Sequence, residues 1–207
     1  MKQVGRWNMK NPVMVSERVY LRPFEVDDAK VLAEASHYET DTFMERGRDL
    51  GSPLAYESYI KELYEKQPTD GEIQFAVCLT ENDECIGMIG LEFVDLINGV
   101  AETGSWFHNP EYRNKGYGTE AKHLILEYAF HRLHLERIIS IVFEPNTRSA
   151  AALAKQGYKP AGRLKYDGLK DGRYQDLLVF DLLREDWLSY REQWRAEQER
   201  RKQGLQA

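Results

Sequence analysis

Between Ile73 and His108 the chain carries three strand-like segments in a row, and that run constrains the fold more than any other part of it. "IQFAVCL" (73–79) and "CIGMIGLEFVD" (85–95) are rich in β-branched and apolar residues and flank the polar turn "TENDE", a hairpin signal. "VAETGSWFH" (100–108) adds a third strand before Asn109 and Pro110 break the pattern. Three strands joined this closely make a sheet that helices from elsewhere must cover.

The flanks supply those helices. "VYLRPF" (19–24) reads as a short strand, and "EVDDAKVLAEASHYE" after it has acidic residues near its start and apolar residues at helical spacing. "LAYESYIKELYEKQ" (54–67) is a second helix with an aromatic stripe. From Thr119 the period is helical again, with Ala121, Leu124, Ile125, Tyr128 and Ala129 at i, i+3, i+4, i+7 and i+8. "ERIISIVF" (136–143) is dense in β-branched residues and reads as a buried strand. "NTRSAAALAKQGY" (146–158) is a short helix that Asn146 or Thr147 can cap and Gly157 stops. "RLKYDGLKDGRYQDLLVFDLL" (163–183) is a final hairpin, followed by a charged helix that frays at its end. The order β-α-α-β-β-β-α-β-α-β-β predicts a single mixed α/β domain over 16–184, with an N-terminal extension (1–15) and a charged C-terminal helix or tail (185–207).

Composition removes several function classes. The net charge of -6, from 28 basic and 34 acidic residues, supplies no global field for nucleic acid or an anionic membrane. No segment approaches the roughly 20 apolar residues that cross a bilayer, and the N-terminus lacks a signal-peptide core. The chain reads as soluble and cytoplasmic. Cys78 and Cys85 form no disulfide framework and no zinc-ligand spacing, so both are expected as buried thiols and no metal is expected.

One stretch does invite an anion. "YRNKGYGTEA" (112–121) places Arg113, Lys115, Gly116 and Gly118 where a strand ends and a helix begins. A helix start leaves backbone N–H groups unpaired and carries about half a positive charge. Glycines there let a ligand approach those groups, and a diphosphate suits the span. The other reading is that the glycines simply turn the chain into the helix. Neither the G-x-x-x-x-G-K-[ST] loop nor a G-x-G-x-x-G with its distal acid is present.

The [RQ]-x-x-G-x-[GA] pattern filled by Arg113, Gly116 and Gly118 resembles the acyl-CoA motif of the Gcn5-related N-acetyltransferase (GNAT) family. "ERVYLRPFEVDDA", "AETGSWFHNPEYRNKGYGTEA" and "EPNTRSAAALAKQGYKPAGRL" extend the resemblance over roughly 16–184, closest to the subgroup that acetylates ribosomal-protein N-termini. "GRYQD" is similar to sequences in that subgroup and in spermidine acetyltransferases. The resemblance implies a GNAT-like α/β (α+β) domain: a central, mostly antiparallel mixed sheet with two splayed strands, here 100–108 and 136–143, and flanking helices.

It also implies the chemistry. Acetyl-CoA would be the co-substrate. Its pantetheine arm would pair with backbone at Trp106, Phe107 and His108, and its diphosphate would rest on Arg113, Asn114, Lys115, Gly116, Tyr117, Gly118 and Thr119. Asn146 would meet the arm from the opposite lip, or serve only as a helix cap. Arg148 and Lys155 either reach the adenosine phosphates or sit on a solvated face. A primary amine would attack the thioester directly, with no acyl-enzyme. Glu102 is the candidate base, in the family's "AE-x-G" position, or else a structural carboxylate of the sheet. His108 lies beside the slot. The family's leaving-group tyrosine is replaced by Leu153, and Ser149 can donate to the sulfur or bond its own backbone. Expected partners are acetyl-CoA and an amine acceptor, a protein N-terminus before a polyamine or antibiotic, in a monomer or homodimer; a non-catalytic acyl-CoA-binding module is a further alternative.

Overall fold

A computed structural model describes residues 9–38, 51–65, 71–107, 109–170 and 172–202. The expectation at His108 lies outside the described residues. Eight strands form one sheet in the order β1-β2-β3-β4-β5-β6-β8-β7. They are β1 (Met14–Val15), β2 (Val19–Arg22), β3 (Glu72–Leu79), β4 (Cys85–Asp95), β5 (Val100–Trp106), β6 (Arg137–Phe143), β7 (Lys159–Lys170) and β8 (Arg173–Leu183). Among the described residues only β5 and β6 pair in parallel. The mixed, mostly antiparallel sheet expected from the sequence is present. β1 is an addition: it pairs Met14 and Val15 with Leu21 and Tyr20, and two residues show no period to read.

Side chains alternate across the sheet, which divides the core in two. On one face Ala76, Cys78 and Cys85 pack with Ala29 and Leu32 of α1 (Asp28–Tyr38) and Ile60 of α2 (Pro53–Glu65). α2 starts at Pro53, one residue before the helix expected from 54; a proline is well suited to a first helical turn. Both cysteines are buried and free, as expected. Arg22 and Asp28 form a buried bidentate ion pair beneath α1, at 2.7 and 2.8 Å, and Asp28 also accepts the Glu25 N–H at 2.7 Å.

The other face carries the larger cluster, built on Ile73, Phe75, Ile89, Leu91 and Ile138 with α3 (Tyr117–Glu127) and α4 (Thr147–Ala154). α3 begins two residues before Thr119 and is buried throughout Glu120–Leu126. Its C-terminal end widens to a π-turn at Tyr128–Arg132. The sheet covers one side of α3, and α5 (Arg184–Lys202) covers another. The His123 ring stacks on Trp194 at 3.9 Å, Trp187 is fully buried against Phe130, and Arg191 and Arg195 both bind Glu127. The charged C-terminal helix is therefore a docked layer over α3 and extends to Lys202. No helix among the described residues is long and apolar enough to cross a membrane.

Candidate active site

The site begins where the sheet stops being continuous. Between β5 and β6 the register comprises three pairs, Val100–Arg137, Ala101–Ile138 and Glu102–Ile139. Beyond them side chains take over from the ladder. The Ser140 hydroxyl donates to the Thr103 carbonyl at 3.0 Å. The Ile141 N–H hydrogen-bonds the Glu102 carboxylate. β5 continues to pair with β4 as far as Trp106, and β6 with β8 as far as Phe143. This seam, fastened for three pairs and then released, is the geometry an extended amide-bearing chain requires.

The glycine loop stands at the open end of the seam. Asn114 and Gly116 both have left-handed backbone (φ 61 and 86), and Gly116 is the residue before α3. The first N–H used inside the helix is that of Glu120, to the Gly116 carbonyl. The N–H groups of Tyr117, Gly118 and Thr119 therefore belong to the unladdered helix start. Arg113 turns its Nε back onto the Phe107 carbonyl at 3.1 Å, tying the loop to the strand end. Arg18 braces it from β2's side. Its guanidinium reaches the Lys115 carbonyl and the Glu120 carboxylate at 2.9 Å each, and lies 4.8 Å over the Tyr117 ring. Gly118 has a second duty: a Cβ there would stand 3.3 Å from the Phe107 ring.

The opposite face of the sheet holds carboxylates. Glu72, Glu92 and Glu102 are cross-strand partners in one row over β3, β4 and β5. Gly90 and Gly104 form the adjoining row with Gln74, and the missing Cβ at Gly104 leaves room for the Glu92 carboxylate, 3.1 Å away. Gln74 donates to both Glu72 and Glu92, and Tyr59 of α2 donates to Glu72 at 3.0 Å. Burial and then the facing Glu92 push the Glu102 carboxyl above its ordinary range, while the Ile141 N–H and the Lys122 ammonium draw it back. A carboxylate raised in this way is a better proton acceptor.

At the far lip Asn146 caps α4, its side chain accepting the Ser149 N–H at 3.1 Å. The capping role proposed for Asn146 is thus met. Ser149 is half-buried in the first turn, Arg148 and Lys155 are exposed, and Leu153 points into the core. The acid of "GRYQD" is structural: Asp176 accepts the Tyr166 N–H at 3.0 Å and the Arg163 Nε at 2.6 Å, holding the bulge of β7.

Residues 18–159 match the acetyltransferase (GNAT) domain. The chain belongs to the GNAT family. It is an N-acetyltransferase, and acetyl-CoA is the co-substrate of that family. Putative ribosomal N-acetyltransferase YdaF of Bacillus subtilis (strain 168) is 29% identical over 177 residues, covering 84% of this chain and 95% of that protein. The spermidine N(1)-acetyltransferase of Escherichia coli (strain K12) is 27% identical over 138 residues, 65% of this chain and 72% of that one. A solved probable acetyltransferase superposes with a TM-score of 0.76 at 25% identity, covering 85% of this chain and 98% of its own.

Two groups near this GNAT seam escape a reading of the sequence. Lys122 and Tyr158 are both buried, and each hydrogen-bonds the Thr103 hydroxyl at 2.9 Å. The periodicity of α3 puts Lys122 beside the apolar stripe, where a solvated lysine is expected; the helix's full burial shows only in three dimensions. Gly118→Val is expected to weaken acetyl-CoA binding at least tenfold, about 1.4 kcal/mol, because it crowds the helix start and displaces Phe107 together. Calorimetric titration of the folded variant measures this, and unchanged affinity would remove the loop as the diphosphate site.

Proposed function

We propose that the enzyme acetylates the α-amine of a protein or peptide, with the acceptor entering over the Gly90–Gly104 row and Glu102 taking its proton. The carrying observation is Glu102 itself, the last ladder residue of the seam and the end of the carboxylate row. The acetyl-CoA diphosphate rests on the N–H groups around Gly116 to Thr119, and its pantetheine arm runs along β5 toward the seam. Asn146 and Ser149 flank the arm from α4. The amine attacks the thioester carbon, the C–S bond breaks, and the CoA thiolate leaves. Ser149 offers the sulfur a hydrogen bond, since Leu153 at the family's tyrosine place lies in the core.

The base supports the choice of acceptor. An α-amine has a pKa of about 7.7–8.0 and is partly neutral at pH 7, whereas a lysine-like amine near 10.4 is almost wholly protonated. One carboxylate of raised pKa suits the former. The 29% identity to a putative ribosomal N-acetyltransferase agrees with this reading.

A second reading, polyamine acetylation, is favoured by the row Glu72–Glu92–Glu102. Carboxylates on adjacent strands recur at about 4.8 Å, a spacing close to that of successive ammonium groups in a short polyamine. Initial rates against N-terminal peptides, spermidine and aminoglycosides decide between the two. The best peptide is expected to exceed spermidine in kcat/KM. A spermidine value tenfold above every peptide would make the row the acceptor site of a polyamine enzyme.

A further inference from the structure

Lys122 is 5% exposed, in the middle of a helix whose other buried neighbours include Leu124, Ile125 and Leu126. Its Nζ lies 2.9 Å from the Thr103 hydroxyl, which also meets the Tyr158 hydroxyl at 2.9 Å. Thr103 is the first residue of β5 beyond the ladder with β6, and Ser140 holds its carbonyl. An ammonium with one hydroxyl partner in such a place destabilises the fold. The protein nevertheless keeps it directly behind the end of the seam.

The groups facing this pair are few. On β5 Thr103 contacts Lys122 and the Glu102 charge acts on it; Tyr158 approaches from the turn between α4 and β7, and Glu92 of β4 faces Glu102. Glu102 and Thr103 are chain neighbours, so their side chains leave β5 on opposite faces. Lys122 and Glu102 thus stand back to back through one strand, ammonium behind and carboxylate in front.

We infer that Lys122 is a positioning residue for the transfer: its amino group pins Thr103 at the end of the seam, and its charge keeps the Glu102 carboxylate ionised beside Glu92. The inference rests on Glu102 being the base. The acceptor's proton moves to Glu102, and Lys122 exchanges none with the substrate. Burial draws the Lys122 ammonium down to about 7 against the pull of Glu102, so its charge responds to the carboxylate it supports. The effect is reciprocal: whatever Lys122 does to the acidity of Glu102, Glu102 does to that of Lys122.

Two measurements on the full-length enzyme test this. In Lys122→Met the acidic limb of kcat/KM is expected to move up by about one pH unit, with acetyl-CoA affinity and melting temperature no lower than in the wild type. A loss by one factor at every pH would mark Lys122 as structural and overturn the inference. The second measurement needs no activity. In protein labelled with [15N]lysine, the Lys122 ammonium, assigned by its loss in Lys122→Met, is expected to titrate about one unit lower in Glu102→Gln than in the wild type. Equal values in the two proteins would overturn the coupling and leave Glu102 to be judged by its own pH profile. Different values with a wild-type profile in Glu102→Gln would instead dismiss Glu102 as base, and with it the role given to Lys122.

Discussion

Glu102→Gln is expected to lower kcat/KM roughly 10²-fold or more, because general-base catalysis is typically worth 10²–10⁴. The sign of the pH dependence follows from the environment. Glu102 accepts a proton only when ionised, and burial with Glu92 opposite raises its pKa above the ordinary value. Activity should therefore fall as pH drops through that raised value, and glutamine should abolish this limb. The remaining pH dependence then belongs to the acceptor amine. Acetyl-CoA affinity should barely change, since the carboxylate faces the α1–α2 side of the sheet. The melting temperature should hold or rise, because glutamine still accepts the Ile141 N–H and no longer repels Glu92. A stable variant with the wild-type profile would show that the amine binds already neutral. A variant that melts earlier and loses activity only in proportion would make Glu102 a structural bridge across the seam.

The largest expected effect on stability is that of Asp28→Ala. Removing one partner of a buried ion pair leaves the other charge uncompensated and costs about 3–5 kcal/mol. Arg22 and Asp28 are 3% and 5% exposed, and their bidentate contact joins β2 to the first turn of α1. A loss of that size lowers the melting temperature of a domain this large by about 10 °C. Arg22→Met combined with Asp28→Leu should recover most of it, because no charge is then stranded. Thermal melts of the single and double variants provide the check. A single variant melting within a degree or two of the wild type would mean that Arg22 finds another partner. Since α1 helps to cover the face proposed for the acceptor, a surviving Asp28→Ala enzyme should show a raised KM for the amine and an unchanged one for acetyl-CoA.

The parts of this enzyme legible in its sequence are those that depend on near neighbours. The "TENDE" hairpin, the glycines at the start of α3 and the Asn146 cap each announce themselves within a few residues, and each is present. Register is not local. Nothing in the spacing of Glu72, Glu92 and Glu102 tells that they stand side by side, because two turns of unspecified geometry lie between them. Lys122 and His123 are hidden for another reason. A single helix reads as having a wet side wherever charge appears, but Lys122 turns in to Thr103 of β5, and Tyr190 and Trp194 of α5 stack over His123. In "GRYQD" the sequence shows a likeness to relatives but not the hydrogen bonds by which Asp176 holds the bulge of β7.

The seam between β5 and β6 also bears on how long the protein lasts. Inside the edge strand β1, the sheet has its shortest ladder at its middle, the three residue pairs of β5 and β6, and opening of that joint is a natural early step of local unfolding. A molecule that bridges the two strands adds its binding energy to the folded state alone, about 2.7 kcal/mol at a hundred times its dissociation constant. Differences of 1–2 kcal/mol are enough to change the amount of a protein that escapes cellular proteolysis several-fold. With acetyl-CoA as the bridge, the abundance of the enzyme would follow the supply of its own co-substrate, so that scarcity of acetyl groups would thin out the catalyst that spends them.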